Sequence, residues 1–260
     1  MKIQKKELLA ELVLTQLRRA YKSSVFGFLW TLLDPLLLIL VLILVFTKLF
    51  AYDLAAYPSY LLIGIFIWDY FSSSTLEGMQ IFLNYQNLIV KSNCPRWMLP
   101  VSISLAKLLD FLLRFLILIL ILLSLRFSLD WPSLVSWGPA LLALPLLLSL
   151  LFFFLLGLTF LLSSLYVFFR DIEKVWGTIV HVGFFVTPIF YPASLIPPQY
   201  TFLLYMNPLF HFIDGFRTVL LEGELPSLFQ SSAIFLFTLI IFTLGVMVFL
   251  KLHDSFAHEL

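Results

Sequence analysis

Long apolar segments separated by short polar ones dominate the chain. A helix needs about 20 apolar residues to cross the hydrocarbon core of a bilayer. Six segments reach about that length and predict six transmembrane helices, at about 29–50, 58–77, 101–124, 139–166, 175–191 and 231–250. The fifth of these segments is the shortest.

The segment 192–224 is also apolar, but proline interrupts it at Pro192, Pro197, Pro198 and Pro208. Proline removes a backbone donor and breaks a continuous helix. Interrupted backbone is tolerated in a membrane only where it packs against protein or lines a cavity. The pattern therefore predicts a re-entrant helical hairpin near the outer face, placed before the last span.

Two further segments predict helices on the cytoplasmic side. Within residues 1–24, one helical face is apolar and the opposite face is charged or polar. The apolar face consists of Leu9, Leu12, Val13, Leu17 and Ala20. This pattern predicts an amphipathic helix in the interface of the inner leaflet, acting either as a membrane anchor or as a docking site. Residues 84–97 predict a short cytoplasmic helix that ends at Pro95.

The composition agrees with a chain dissolved in lipid. Of 260 residues, 62% are hydrophobic and 12% are charged, and the mean hydropathy is +1.04. A water-soluble core cannot hide so much apolar surface, so we expect an all-α polytopic membrane protein with a single transmembrane domain over 1–260. A formal net charge of +1 argues against a nucleic-acid partner, and the single cysteine, Cys94, excludes an internal disulfide.

Lysine and arginine lie mainly on one side of the predicted spans. If the N-terminus is cytoplasmic, the far side holds only Lys48, Arg126 and Arg217, and Arg114 falls within a span. All other lysines and arginines then lie on the cytoplasmic side. Because cytoplasmic loops carry the excess of these residues, both termini and the loop 168–177 are predicted to be cytoplasmic.

The sequence contains no pattern typical of catalysis. It has no GxxxxGK[ST] phosphate loop, no HExxH pair and no cysteine and histidine cluster with metal-binding spacing. His253, Asp254, His258 and Glu259 are interpreted as a solvated tail rather than a metal site. We therefore expect a chain that is not an enzyme and has no cofactor of its own. Uphill transport would need energy from another subunit or from an ion gradient.

Use of an ion gradient requires ionisable residues inside the membrane, in repeated halves of the chain. The candidates are Asp34, Asp69, Asp110, Arg114 and His181. Asp34 fits a helix N-cap, and His181 fits a hydrogen-bonded core histidine. Asp110 and Arg114 lie four residues apart and can neutralise each other, whereas the pattern offers no partner for Asp69. No internal repeat is visible, which argues against an ion-coupled carrier.

The segment FFRDIEKVWG, residues 168–177, places four charges between the fourth and fifth spans. A solvated turn explains them better than an ion site inside the membrane. Arg170 and Asp171 are adjacent and cannot face each other on a helix, so each needs its own partner. Such pairs would order a cytoplasmic entrance. The candidate partners are Glu7, Glu11 or the pyrophosphate of a lipid carrier for Arg170, and Arg18, Arg19 or Arg96 for Asp171.

Short motifs occur in a recognisable order along the chain. They are GFLWTLLDP at 27–35, Gly64 and Trp68, NLIVKSNCPRWMLP at 87–100, YVFFRDI at 166–172, TPIFYP at 187–192, IPP at 196–198 and NPLFHFIDGFR at 207–217. In this order they resemble the membrane subunits of ATP-binding-cassette exporters of polysaccharides, of the O-antigen, capsule and teichoic-acid type. The resemblance extends from about residue 18 to about residue 223.

The resemblance implies a homodimer of six-span subunits in the bacterial inner membrane. It also implies two cytoplasmic ATPase subunits, which bind ATP and Mg²⁺, and a lipid-linked glycan that moves outward through a channel between the two copies. Membrane lipids are the remaining partners. The alternative is a lipid or drug exporter of the same scaffold, and a membrane-embedded assembly factor is a third class.

The same resemblance assigns roles to particular residues. Coupling to the ATPase is expected in segment 84–97, at Asn87, Leu88, Ile89, Lys91, Pro95 and Arg96. The cytoplasmic entrance is expected at Arg18, Arg19, Arg170 and Asp171, because the charged 168–177 loop lies on the same side as the N-terminal helix and segment 84–97. The channel or the re-entrant region is expected to include Trp30, Trp68, Tyr191, Asn207, Pro208 and Arg217.

Overall fold

The computed structural model describes residues 5–21, 57–91, 94–129 and 138–259, together with four isolated helical positions at 33, 37, 40 and 41. Apart from those four positions, the predicted first span at 29–50 lies outside the described residues. Trp30 and Asp34, for which a channel role and a capping role were predicted, lie outside them as well.

All regular elements in the described part of the chain are helical, which confirms the all-α prediction. The α-helices are α1 (Lys5–Tyr21), α2 (Tyr57–Met79), α3 (Ile81–Asn84), α4 (Gln86–Lys91), α5 (Met98–Leu129), α6 (Leu144–Phe168), α7 (Ile172–Val186), α8 (Thr201–Tyr205), α9 (Pro208–Arg217), α10 (Leu228–Leu252) and α11 (Phe256–Glu259). Short 3-10 turns lie at Pro139–Ala143, Ala193–Leu195, Pro198–Tyr200 and His253–Ser255, and a π-helical turn lies at Thr218–Glu222.

Four of the predicted spans fall within long helices: the second within α2, the third within α5, the fourth within the Pro139–Phe168 helix and the sixth within α10. Within the described residues, two stretches are long and apolar enough to cross a membrane by length and composition. They are Pro139–Phe168, with 30 residues, and Leu228–Ser255, with 28 residues. α2 and α5, in contrast, carry charged side chains along their length.

α6 and α10 approach each other at two glycines. A Cβ atom on Gly157 would lie 2.5 Å from the Cα of Phe242, and a Cβ atom on Gly245 would lie 2.0 Å from the carbonyl oxygen of Gly157. A residue with a side chain cannot occupy either position without separating the two backbones. Close contact through small residues is typical of helices that associate within a membrane.

α7 is shorter than the hydrophobic pattern predicted. The fifth span was expected at 175–191, but the helix ends at Val186. Thr187 follows in extended conformation, because the residue before a proline, here Pro188, disfavours helical backbone. The 15 residues of α7 span about 22 Å at the rise of an α-helix, which is less than the ~30 Å hydrocarbon core.

The segment 192–224 is divided into short helical pieces, as its prolines predicted. α9 begins at an Asn-Pro pair, in which the Asn207 side chain accepts a hydrogen bond from the Leu209 amide at 3.0 Å and Pro208 occupies the first turn. α9 buries Phe212 and Phe216 against α2, α6 and α10. Gly223, at a φ of 73°, ends the π-helical turn.

The buried apolar side chains form two clusters. The larger one joins α2, α6 and α9. The smaller one, which we call the loop-face cluster, joins α1, α3, α4 and the start of α5 to α6, α10 and α11. Its buried members are Leu12, Ile81, Phe82, Ile89, Met98, Leu99, Ile103, Leu156, Phe160, Val167, Phe249 and Phe256. α1 is thus helical as predicted, but its apolar face packs on α5 rather than facing only lipid.

Candidate functional site: loop face, charged seam and outer clamp

The segment 84–97 was predicted to contact an ATPase, and the structure divides it into buried and exposed residues. Ile89 is 7% exposed and belongs to the loop-face cluster, and Leu88 is half-buried against it. Ile89 is therefore covered by this chain itself and is not free to enter a groove on another subunit. Among the described side chains of this segment, Asn84, Gln86, Asn87 and Trp97 are exposed, and Trp97 is 41% exposed.

Pro95 and Arg96, two of the other predicted coupling residues, are half-buried. The carbonyl oxygen of Pro95 accepts a hydrogen bond from the Met98 amide at 3.0 Å, and this bond starts α5. The Lys91 side chain lies outside the described residues. Trp97 was missed by the sequence interpretation, although it lies within the NLIVKSNCPRWMLP motif, because a single tryptophan gives no sign of being exposed.

Arg96 binds the C-terminal end of the chain. Its Nη1 donates a hydrogen bond to the carbonyl oxygen of His253 and lies 3.6 Å from Oδ1 of Asp254. Phe256 follows, fully buried, with its ring centroid 4.7 Å from that of Phe82. We call this arrangement the C-terminal clasp. Of the residues interpreted as a solvated tail, Asp254 and Glu259 are exposed, whereas the buried Phe256 between them was not considered in the sequence interpretation.

The charges of FFRDIEKVWG form a turn after α6, but their partners differ from those predicted. The Arg170 guanidinium lies 5.3 Å from the centroid of the Tyr166 ring. Within the described part of the chain, Arg170 and Asp171 form no ion pair. The predicted ion pairs with α1 or Arg96 are therefore wrong. Both side chains are exposed, so solvent stabilises their charges without a partner.

Glu173 is the residue of this turn that joins it to the rest of the protein. It accepts a hydrogen bond from Nε2 of Gln80 at 2.8 Å and another from the Tyr166 hydroxyl. These bonds tie the start of α7 to the turn that follows α2. Gln80 is 93 residues away from Glu173, which is why no local pattern indicated the contact.

Arg18 and Arg19, the other predicted entrance residues, are exposed near the end of α1. The Arg19 guanidinium lies 5.6 Å from the centroid of the Tyr85 ring. The end of α1 therefore meets the residue that separates α3 from α4, which links the N-terminal helix to the 84–97 segment.

Five charged residues form a charged seam between α2 and α5. Arg114 donates to Asp69 through Nη1 and to Asp110 through Nη2, and Lys107 donates to Glu77. Asp110 is 7% exposed and Lys107 is 9% exposed. Buried charges of this kind must be paired, because an uncompensated one costs several kcal/mol.

The predicted neutralisation of Asp110 by Arg114 is confirmed. Asp69, which had no partner in the sequence pattern, shares the same guanidinium. Three carboxylates and two cations leave the seam with one formal negative charge.

Arg217 was predicted to line the channel or the re-entrant region, and it is the centre of an outer clamp. Its side chain donates to the carbonyl oxygens of Pro188 and Ile189, each at 2.8 Å, and of Tyr60 at 3.1 Å. The guanidinium also lies 3.3 Å from the centroid of the Tyr60 ring. Arg217 is only 4% exposed, so it holds α9, α2 and the 187–191 segment together and is not open to a substrate.

Other predicted residues of this region also make contacts within the chain. Nδ2 of Asn207 donates to Oγ1 of Thr187 at 2.8 Å, and the Tyr191 hydroxyl donates to the carbonyl oxygens of Phe185 and Val186 at 3.0 Å. Trp68 is buried, and a Cβ atom on Gly183 would lie 3.0 Å from its ring.

His181 lies on the exposed side of α7, where its ring contacts Phe185 at 5.8 Å between centroids. The interpretation of His181 as a core histidine is therefore wrong. Apolar residues at helical spacing surround it on the same side, and each of them is at least half exposed. They are Val175, Ile179, Val182, Phe185 and Val186, and we call this side the open face of α7.

Comparison with known proteins identifies the family. The family described as ABC-2 type transporter matches residues 7–221. An O-antigen export system permease protein RfbA of Klebsiella pneumoniae is 30% identical over 257 residues, covering 98% of this chain and 95% of the relative. An RfbA protein of Myxococcus xanthus is 27% identical over 255 residues, covering 97% and 95%. The polysialic acid transport protein KpsM of Escherichia coli is 24% identical over 252 residues, covering 92% and 90%. The chain belongs to the ABC-2 type transporter family of membrane proteins.

Proposed function

We propose that this chain is the membrane subunit of an ATP-driven exporter that moves a lipid-linked polysaccharide from the cytoplasmic side of the inner membrane to the outside. The observation that carries the proposal is the match to an O-antigen export permease over 98% of this chain and 95% of the relative. A second relative is named for the transport of polysialic acid. The relatives therefore have polysaccharide transport in common, but not one particular glycan.

The proposed topology has six spans, both termini in the cytoplasm and 192–224 as a re-entrant hairpin at the outer face. The distribution of lysine and arginine supports this orientation. The loop-face cluster supports it as well, because it joins α1, the 84–97 segment and the C-terminus, all of which the proposal assigns to the cytoplasm.

The energy for transport comes from two ATPase subunits, which bind ATP and Mg²⁺. The sequence of this chain has no phosphate loop. The exposed Gln86, Asn87 and Trp97 form the proposed docking surface, since an exposed tryptophan next to polar residues is typical of binding hot spots. Movement of this surface would reach α6 and α10 through the loop-face cluster, whose side chains leave little room for independent motion.

The second partner is another copy of this chain, with the glycan path between the two. The open face of α7 supports this part of the proposal. Its apolar residues could face lipid, but Thr178 and His181 are exposed on the same helix. Polar side chains on a membrane helix favour contact with protein or with a hydrated path.

Reconstitution tests the proposal directly. The full-length chain and its ATPase, placed together in proteoliposomes, should move lipid-linked glycan across the bilayer only when ATP and Mg²⁺ are supplied. The matched control is an ATPase variant in which the lysine of the phosphate loop GxxxxGK[ST] is replaced. This variant should move no glycan. If the proteoliposomes instead move a fluorescent phospholipid or a drug and leave the glycan in place, the function is that of the alternative class.

A further inference from the structure

A polar cavity lies between α1, the end of α2 and α5. It has a volume of about 210 Å³ and is lined by Gln16, Arg19, Glu77, Gln80, Ile81, Asn84 and Ile103. Two smaller cavities, one along Lys107 and Asp110 and one along the charged seam, are lined by residues of the same helices. The cavity lies between helices of one chain, whereas the transport path proposed above lies between two copies of the chain.

Gln16 gives the first indication of a ligand. Its side chain is buried, with 8% of the residue exposed, and its Nε2 has no hydrogen-bond partner in the described structure. A buried donor without a partner costs free energy, and most are satisfied by protein, water or a bound group. Gln16 lines the cavity, and rotation of its side-chain amide by half a turn would bring this donor to the cavity, where an acceptor oxygen of a ligand would satisfy it.

Arg19 and Glu77 place opposite charges on the wall of the same cavity. Arg19 lies one helical turn after Gln16 on α1, so both can donate to one anionic group. Glu77 uses Oε1 for Lys107, which leaves Oε2 as an acceptor. Nε2 of Gln80 is engaged by Glu173, so the amide oxygen of Gln80 is its remaining group. The wall thus offers donors on the α1 side and acceptors on the α2 side.

We propose that this cavity binds the headgroup of a zwitterionic aminophospholipid, with its phosphate on Gln16 and Arg19 and its primary ammonium on Glu77 and Gln80. A phosphate accepts charge-assisted hydrogen bonds from a guanidinium, and an ammonium donates them to a carboxylate.

The proposal requires α1 to lie at the membrane surface, but it does not depend on the exported cargo. It can therefore fail while the proposed export function holds, and the reverse is also possible. A bound headgroup would join α1 to α2 next to the 84–97 segment, so that the lipid composition of the membrane would influence the docking surface.

Native mass spectrometry of the full-length, delipidated protein tests the binding. Phosphatidylethanolamine, phosphatidylcholine and phosphatidylglycerol with the same acyl chains are titrated separately. Phosphatidylethanolamine should bind about tenfold more tightly than either of the others, since one charge-assisted hydrogen bond is worth about that factor. Phosphatidylcholine lacks the N–H donors for Glu77, and phosphatidylglycerol lacks the cation.

Variants then locate the site. Arg19→Gln and Gln16→Leu should each weaken the binding of all three lipids to a similar extent, because all three carry the phosphate. Glu77→Gln should instead remove the preference for phosphatidylethanolamine. Arg18→Gln is the matched control, because Arg18 is an exposed arginine of α1 that does not line the cavity. Thermal unfolding of each variant identifies any variant that is misfolded. The lipid preference of the unsubstituted protein tests the proposal even if every variant misfolds.

Four results would overturn the proposal. Equal binding of all three lipids would mean that the cavity does not recognise an ammonium, and absence of binding would mean that it holds only water. Preference for phosphatidylglycerol would indicate a plain anion site, without recognition of an ammonium. Displacement of the lipid by soluble phosphoethanolamine at equal concentration would show that the ligand is a free metabolite rather than a membrane lipid.

Discussion

Gly64 of α2 lies directly against the guanidinium of Arg217 at the end of α9. A Cβ atom on Gly64 would be 2.8 Å from Nη2 of Arg217 and 3.1 Å from the Ile189 side chain. The arginine cannot move aside easily, because carbonyl oxygens of Tyr60, Pro188 and Ile189 hold it in place. The glycine and the arginine thus form one packing unit, although they lie in separate motifs of the sequence.

Gly64→Ala is therefore expected to destabilise the protein by about 1–3 kcal/mol, the usual cost of overpacking a close contact. Thermal unfolding of the purified protein in detergent measures the effect. Gly177→Ala on α7 is the matched control, because no atom lies within 4 Å of the Cβ position. Alanine there should be neutral or stabilising, by up to about 1 kcal/mol, owing to its higher helix propensity. Equal melting temperatures for the two variants would contradict the account of the outer clamp.

The charged seam gives a second prediction. Arg114→Met should destabilise the protein by about 3–5 kcal/mol, because it leaves Asp69 and Asp110 without their shared cation. The triple variant Asp69→Asn, Asp110→Asn and Arg114→Met should recover most of that loss, since no uncompensated carboxylate remains at the site. For both variants, the unfolding temperature of the purified protein and the transport of glycan in proteoliposomes are measured.

A triple variant that is stable and exports glycan normally would confirm a structural role for the seam. A triple variant that is stable but fails to export would instead show that the charges themselves take part in transport. If Arg114→Met alone has no effect on stability, the pairing described above does not matter for the fold.

The charged seam shows what the sequence could and could not predict. Asp110 and Arg114 were paired correctly because a separation of four residues puts two side chains on one helical face. The partner of Asp69 lies 45 residues away, and only the packing of α2 against α5 reveals it. Local spacing therefore identifies contacts within a helix but not contacts between helices.

For Ile89 and His181, the local sequence also failed to predict which side chain is buried and which is exposed. Each was interpreted from its immediate neighbours, Ile89 as a surface contact and His181 as a core residue. The structure buries Ile89 in the loop-face cluster and exposes His181 on α7. Which side of a short or apolar helix is covered depends on tertiary packing, and hydrophobicity alone does not encode it.

The docking surface gives a third prediction, which separates folding from coupling. Ile89→Asp should destabilise the chain, because it buries a charge in the loop-face cluster. Trp97→Ala should leave the melting temperature nearly unchanged, because the side chain is exposed, but should weaken binding of the ATPase about tenfold or more. Co-purification of the ATPase and unfolding of the isolated chain measure the two effects. Normal ATPase binding by Trp97→Ala would remove this residue from the docking surface.

The C-terminal clasp gives a fourth prediction. Phe256→Ala should cost about 3–5 kcal/mol, because it empties a fully buried site between Phe82 and Phe249. Asp254→Asn is the control, since the carboxylate is 88% exposed and its contact with Arg96 is worth less than about 1 kcal/mol. If removal of residues 256–260 leaves the unfolding temperature unchanged, the C-terminus is a plain tail after all.

The last prediction concerns topology, and the short α7 makes it necessary. Its 15 residues do not reach across the ~30 Å core, so in the proposed topology the 187–191 segment would complete the crossing. That segment is fixed in place by Arg217 and by the bond from Asn207 to Thr187.

The topology predicts that cysteine replacing Lys174 is labelled only from the cytoplasm, whereas cysteines replacing Gln199 and Glu224 are both labelled only from outside. All three positions are exposed. Burial raises the pKa of the native Cys94 thiol, which lowers its thiolate fraction at neutral pH and with it the background labelling. Introducing the three cysteines into a Cys94→Ala variant removes the remaining background labelling. Labelling of positions 199 and 224 from opposite sides would show that 192–224 crosses the membrane, and the count of six spans would then be wrong.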